Sequence, residues 1–211
     1  MADDHEVVRH GARLLIEREP GWSVVGEAKN GREAAALVAE LQPDVAVLDI
    51  NMPELNGLDA TRVIKRETPG TEVLVFTGIE NEQLVHNVFE AGARSYILKT
   101  GMSQHLISAI EAAARHKTYF TTQISEIVFA RYLHGKKTPP AETEGSGRLT
   151  AREREIVQLL AEGKSNKEVA SNLGISVKTA ETHRAAVMRK LGFQAFSDLV
   201  RYAIRNHIIE A

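Results

Sequence analysis

The first half of the chain alternates short apolar runs with amphipathic stretches. SVVGEA (23–28), VAVLDI (45–50), EVLVFT (72–77) and SYILK (95–99) are rich in Val, Ile and Leu, and this pattern predicts strands. The runs 45–50 and 72–77 are almost unbroken, as expected of strands covered on both faces of a parallel sheet. Between the runs, apolar residues return at helical spacing: Val7, Val8, Gly11, Ala12, Leu14 and Leu15; Ala34, Leu37, Val38 and Leu41; Leu84, Val85, Val88 and Phe89. Strand and helix in alternation predict a doubly wound α/β domain. A helix over 103–117 and a further helical stretch, TTQISEIVFARYL (121–133), complete this part.

HGKKTPPAETEGSGR (134–148) has no apolar periodicity and reads as a linker. Beyond it the pattern is helical throughout. Thr150 with Glu153, and Ser165 with Glu168, match the capping-box spacing and start helices at 151–162 and 166–173. Gly174 breaks the chain, Ser176 caps a third helix over 177–191, and Ser197 caps a fourth over 197–206. The expected organisation is an α/β domain at 1–117, a helical extension and linker at 118–147, and a smaller all-α domain at 148–211.

Charge separates the two halves. Residues 1–117 carry 12 Lys and Arg against 18 Asp and Glu, a net of −6, while residues 148–211 carry 11 against 7, a net of +4. The whole chain of 211 residues stands at −2, so its overall balance conceals two surfaces suited to partners of opposite charge. The absence of cysteine excludes disulfides, thiolate chemistry and cysteine metal sites. No apolar run approaches a membrane span and no signal peptide opens the chain, so the expectation is a cytoplasmic protein with no membrane partner.

In an open parallel sheet, sites form beyond the carboxyl ends of the strands. Asp49, Thr77 and Lys99 stand at three such ends, and Asp3 and Asp4 stand where a first strand would end. Each alone has an ordinary reading: a turn cap, a strand-end hydroxyl, a solvated loop charge. Together they place clustered carboxylates, a hydroxyl and an ammonium on one rim. Such carboxylates suit Mg²⁺ with several waters retained. Asp49 could attack phosphorus to form an acyl phosphate. Lys99 and Thr77 would then bind the phosphate oxygens.

ADDHEVV, VLDINMPELNG, VFTG and SYILKT resemble the receiver domain of two-component response regulators over residues 1–117. The resemblance implies a flavodoxin-like fold, with Asp49 as phosphoacceptor. It implies Mg²⁺ on Asp4, Asp49 and the backbone carbonyl of Asn51, with Asp3 helping through water. Thr77 and Lys99 become phosphate contacts, and Tyr96 matches an aromatic switch whose ring turns inward when Thr77 moves; its ordinary reading is a half-buried strand tyrosine. It also implies a central first strand, of which about five residues are wanting before Met1. The expectation is that the natural start lies upstream; the alternative is a truncated receiver that borrows a strand.

In the basic half, 166–173 and 177–191 have helix-turn-helix spacing, the first supporting and the second recognising DNA. Val177, Ala180, Val187 and Leu191 form the expected inward stripe. Lys178, Thr179, Glu181, Thr182, Ala185 and Arg189 face outward, with Arg184 at the border and Lys190 beyond. Thr182, Glu181 and Arg184 could reach base edges, while the lysines and arginines neutralise phosphates. Lys164, Asn166 and Lys167 could hold the DNA backbone at the start of the supporting helix. LTAREREIVQLLAEGKSNKEVASNLGISVKTAETHRAAVMRKLGF resembles the LuxR/FixJ-type DNA-binding domain over 147–211. Under that resemblance His183 matches a common position and reads as a packing residue, and Ala180, where the family usually has valine, leaves room for a small gap.

Both halves together resemble the NarL/FixJ-type response regulators. The implied function is transcription control on double-stranded promoter DNA, switched by a sensor histidine kinase that phosphorylates Asp49. A homodimer would be the active form, reading half-sites about one helical turn apart. The implied protein is not an enzyme beyond slow self-dephosphorylation. The alternative is a phosphorylation-independent DNA-binding protein with a degenerate receiver. A phosphatase of the haloacid dehalogenase type also uses a strand-end aspartate, but its DxD pattern would require Asp where Asn51 stands.

Overall fold

The computed structural model describes residues 1–78, 81–133 and 149–210, with backbone alone at 130–133. The linker read at 134–148 lies outside the described residues. The chain divides into two compact units after Gly135.

The first unit is built on four parallel strands in the order β1 (Val45–Leu48), β2 (Glu72–Thr77), β3 (Ser95–Leu98) and β4 (Tyr119–Phe120). Every residue of β2 is buried, because its apolar run is covered on both sides. Val73 and Val75 turn toward the layer of α2 (Gly31–Leu41), α3 (Gly57–Glu67) and α4 (Glu82–Glu90). Leu74 and Phe76 turn the other way, into the layer of α1 (Glu6–Ile16) and α5 (Met102–Ala114). The two-residue alternation of a strand thus supplies two cores from one run. The parallel sheet between helical layers is the doubly wound architecture read from the pattern. α6 (Thr122–Leu133) follows β4 and buries Ile124, while Phe120 meets Phe89 edge-on at 5.1 Å.

Two readings of this half are corrected, and one strand was not foreseen. Residues 23–27 form no strand; Ala28 makes a bridge, to Ala2, and the backbone pairing of this stretch is with Met1–Asp3. In α1 the buried positions are Arg9, Ala12 and Ile16, while Val7 is 84% exposed and Leu14 is also exposed. The helical period was right, but an arginine takes a buried position. Strand β4 was not read, since two residues carry no periodicity.

The second unit contains α7 (Ala151–Ala161), α8 (Asn166–Leu173), α9 (Val177–Lys190) and α10 (Phe196–Arg205). Both capping boxes form: Thr150 with Glu153, and Ser165 with Glu168. Ser176 caps α9 on the amide of Thr179. Gly174, at φ 62°, ends α8 in the left-handed region that glycine enters without steric cost. Ile156, Leu159, Val169, Val187 and Leu199 form the core. Ser197 does not cap α10. Ala195 holds that place, and the Asp198 carboxylate accepts from the amides of Ala195 (2.9 Å) and Gln194 (3.2 Å) instead.

Glu153 does more than cap α7, because its carboxylate also receives the ammonium of Lys190 at 2.7 Å from the end of α9. Burial pushes this carboxyl up, but Lys190 and the Thr150 amide outweigh it and hold its pKa below the ordinary value. A depressed folded pKa adds stability above the unfolded value and loses it as pH falls through the folded one. Glu153→Gln is therefore expected to lower the melting temperature of this unit at pH 7. Below about pH 4, variant and wild type should converge, which calorimetry across pH will show.

Candidate functional site

The strand ends of the first unit bring Asp49, Thr77, Lys99 and Asp3 to one rim. Asp3 ends a short extended stub, Met1–Asp3, set between residues 26–28 and 47–49. Ala2 donates to the carbonyl of Val47 (2.8 Å) and accepts from the amide of Asp49 (2.9 Å). On its other side Asp3 donates to Ala28 (3.2 Å), and the Met1 amino group donates to Gly26 (2.9 Å). The ladder places Asp3 beside Asp49, and both are almost wholly buried.

Lys99, the first residue past β3, joins them. Its Nζ lies 2.7 Å from Asp3 Oδ2 and 2.8 Å from Asp49 Oδ2. Asp49 Oδ1 accepts from the amide of Ile50 at 2.7 Å, and Asp3 Oδ1 from the amide of His5 at 2.9 Å. Burial raises the Asp49 carboxyl above its ordinary pKa; Lys99 opposes this rise and Asp3 adds to it. Burial also pulls the Lys99 ammonium down, but the two carboxylates prevail and hold its pKa above the usual value. Gly57 lets the start of α3 close on this strand end, since a Cβ there would overlap the Asp49 carbonyl oxygen.

Asp4 sits at the mouth of the site and is partly exposed. Two residues here were missed by sequence reasoning. His5 places Nδ1 at 2.8 Å from Asp4 Oδ1 and 3.3 Å from Asp3 Oδ1, giving a compact Asp3–Asp4–His5 group of possible metal ligands. Arg9, buried on α1, donates from Nη1 to the Asp3 carbonyl at 2.7 Å and so fixes the stub from below. The adjacent acidic pair could have prompted a search for a basic partner one helical turn away, but no pattern marks a buried arginine. The carboxylate oxygens of Asp3 and Asp4 are hard donors grouped with His5, and Asp4 is partly exposed, so this group fits a hard divalent cation approaching from the mouth, while Asp49 stands beside it, paired with Lys99.

In the second unit, Lys178, Thr179, Glu181, Thr182, Ala185, Arg189 and Lys190 of α9 are exposed, as is Lys167 at the start of α8. Ala180 and Val187 are buried, but Val177 is exposed and Leu191 only half-buried, so the inward stripe is shorter than expected. His183 is half-buried, as a packing residue should be. Arg184 stacks over the Phe196 ring at 5.4 Å. Thr182 donates to the Lys178 carbonyl, and Thr179 shares a hydrogen bond with Ser176. Lys164 and Asn166 are half-buried beside them. α9 thus presents an exposed basic and hydroxyl-bearing face on a short helix-turn-helix.

Residues 1–111 match the response regulator receiver domain, and residues 147–203 match the bacterial regulatory proteins of the luxR family. The chain belongs to the two-component response regulators. It is 38% identical to the transcriptional regulatory protein LiaR of Bacillus subtilis, over 99% of this chain and 97% of that protein. It is 35% identical to the oxygen regulatory protein NreC of Staphylococcus aureus, over 100% of this chain and 98% of that one. Among solved structures it resembles RcsB of Salmonella enterica serovar Typhimurium bound to a promoter in the presence of a phosphomimetic. That likeness has a TM-score of 0.58 at 26% identity, over 95% of this chain and 94% of that one. A LuxR-family response regulator from Aurantimonas matches at TM-score 0.60 and 36% identity, over 63% of this chain and 94% of that one.

This response regulator has a receiver and a LuxR-type DNA-binding domain, and works in two-component regulation of transcription. Among its described residues no helix is long and apolar enough to cross a membrane. Its acidic rim has a clear electrostatic dependency. Lys99→Met removes the cation shared by two buried carboxylates and is expected to cost about 3 kcal/mol of receiver stability near neutral pH. The loss should shrink as pH falls below about 5, because a carboxyl pushed further up takes a proton in the folded state. Urea unfolding at several pH values measures both effects.

Proposed function

We propose that Asp49 accepts a phosphoryl group from a sensor histidine kinase, and that this controls binding of the chain to promoter DNA. The observation that carries the reading is the Lys99 ammonium held within 2.8 Å of both Asp3 and Asp49 at the carboxyl edge of the sheet. An Asp49 carboxylate oxygen attacks phosphorus, a P–O bond forms, and the P–N bond to the kinase histidine breaks with the pair leaving on nitrogen. Lys99 is placed to follow the new charge onto the phosphoryl oxygens, and the Thr77 hydroxyl at the end of β2 to donate to them. Asp3, Asp4 and Asp49, with the Asn51 carbonyl, would hold Mg²⁺, which supplies neutralisation of phosphoryl charge when bound. His5, grouped with Asp3 and Asp4, would be a further neighbour of that ion.

Tyr96 and Thr77 are fully buried on adjacent strands, so a shift at Thr77 is felt by the packing around Tyr96. Phosphorylation then shifts an existing equilibrium between conformations. In our reading residues 118–147 join the receiver, 1–117, to the DNA-binding domain, 148–211. The active form is a homodimer paired on DNA through α10, acting in the cytoplasm, with slow self-dephosphorylation as its sole chemistry. Lys164, Asn166, Lys167, Lys178, Arg189 and Lys190 hold phosphates, and Thr179, Glu181, Thr182 and Arg184 approach base edges. The promoter-bound RcsB structure supports this docking by analogy.

Incubation with acetyl phosphate and Mg²⁺ is expected to add one phosphoryl mass to the wild type and none to Asp49→Asn, by intact mass spectrometry. A wild type that stays unmodified while still binding promoter DNA would favour the phosphorylation-independent reading. On DNA, Lys178→Ala and Arg189→Ala should each weaken binding across sequences and reduce the salt slope by about 1, whereas Thr182→Ala should alter sequence preference. Fluorescence anisotropy over a salt series separates the two behaviours.

A further inference from the structure

The turn between α8 and α9 sets the angle at which α9 stands, yet its own backbone holds that angle weakly. Gly174 sits there at φ 62°, and nothing lies within 4 Å of where a Cβ would be. A glycine passes between positive and negative φ at little cost, so sterics do not fix this turn. Ile175 donates to the Ala170 carbonyl at 3.0 Å and Gly174 to Ser171 at 3.3 Å, which satisfies two of the orphan carbonyls that end α8. The carbonyl of Leu173 belongs to the peptide group that leads into Gly174. It accepts from outside the turn, from Arg152 Nη2 of α7 at 2.8 Å.

Arg152 is braced for this contact. Its Nη1 pairs with Glu155 Oε2 at 2.9 Å, about one turn further along α7. The first turn of α7 is itself fixed by the Thr150–Glu153 capping box and by Arg154, whose Nη1 donates to the carbonyl of buried Leu149 at 2.8 Å. A second tie leaves the same turn, since Glu153 receives Lys190 at the far end of α9. Apolar packing holds α9 less firmly: its buried side chains are Ala180 and Val187. Alanine at 180 gives the first half of the helix a single methyl for anchorage. The direction of α9 therefore rests on the turn, and the turn on Arg152.

We propose that Arg152 is a positioning residue for sequence-specific DNA binding. Through the Leu173 carbonyl it holds the α8–α9 turn at the angle that presents Glu181, Thr182 and Arg184 to base edges, without touching DNA itself. The inference rests on the reading of α9 as the DNA-reading helix. Base readout depends on directed hydrogen bonds, whereas attraction to phosphates tolerates a tilt of the helix. Loss of Arg152 therefore falls on specific binding and spares the salt-dependent part.

Fluorescence anisotropy over a salt series on the full chain tests it with two probes. One is a duplex selected by the wild-type chain from a randomised library; the other is a scrambled duplex of the same composition. Arg152→Leu keeps the apolar stem and removes the guanidinium. It is expected to lower the ratio of the two affinities about tenfold, the scale of one misread base pair, while affinity for the scrambled duplex and the salt slope stay unchanged. Hydrogen exchange should speed in peptides covering 172–178 and stay unchanged at 156–160, which reports that the unit remains folded. An unchanged ratio overturns the proposal, and so does an equal loss on both duplexes. So does a salt slope reduced by about 1, which would make Arg152 a phosphate contact. Failure of the reading beneath it is separable, because Thr182→Ala would then leave sequence preference unaltered. If Arg152→Leu does not fold, Glu155→Gln serves, since it leaves the guanidinium in place and weakens only its brace. A smaller fall in the ratio at constant salt slope supports the proposal, and no fall overturns it.

Discussion

The Lys99 ammonium stands between two buried carboxylates, and the acidic rim depends on it. Asp3 and Asp49 are brought together by backbone pairing, not by mutual attraction; left alone they would repel, and one would have to take a proton. Lys99 removes that conflict because it is the first residue after β3, and the parallel order puts β3 two strands from Asp49. The long lysine stem spans the gap, and the side chain as a whole is 20% exposed. The same placement makes the site responsive. Any movement of this one ammonium changes the balance at both carboxylates together. Site chemistry and sheet topology are therefore one design.

The rim was legible because strand ends are. Asp49, Thr77 and Lys99 follow apolar runs whose ends are unambiguous, and a parallel sheet sends such ends to one side. What could not be read depended on long-range pairing. Residues 23–28 have strand composition, yet a strand is a relation between neighbours, and among them the backbone pairing comes at Gly26 and Ala28, to Met1–Asp3. Arg9 is buried because a carbonyl of the Asp3 stub needs a donor from below, a need no helical period expresses. His5 is placed by the start of α1 rather than by any motif. In the helical unit the capping boxes were legible since they are local, whereas the Lys190–Glu153 pair links positions 37 apart. That pair matters for the electrostatics of α9, because the Lys190 charge is already engaged by a capping carboxylate.

The two units carry opposite electrostatics for separable reasons. In the receiver the acid is concentrated where it is costly to bury and is held by specific partners. On α9 the positive charge is spread over an exposed face, where pairing with an anion would cost little desolvation. Thr179 and Thr182 are tied back to their own helix by hydrogen bonds, so their hydroxyls present oriented acceptors and methyls rather than loose rotors. Arg184, stacked on Phe196, is likewise held at the border of the face and joins it to the start of α10.

The stub and the switch share a physical limit. Thr77 and Tyr96 lie in close-packed surroundings, and close-packed cores respond in discrete steps rather than by gradual yielding. A discrete response needs a firm reference against which Thr77 can move. On one side β2 and β3 supply it, register by register. On the other, the reference for Asp3 is three residues of backbone and the side chain of Arg9. Thr77 is therefore held by a full ladder of strand neighbours, and Asp3 by a few backbone hydrogen bonds and one arginine, so the two sides of the rim differ in firmness.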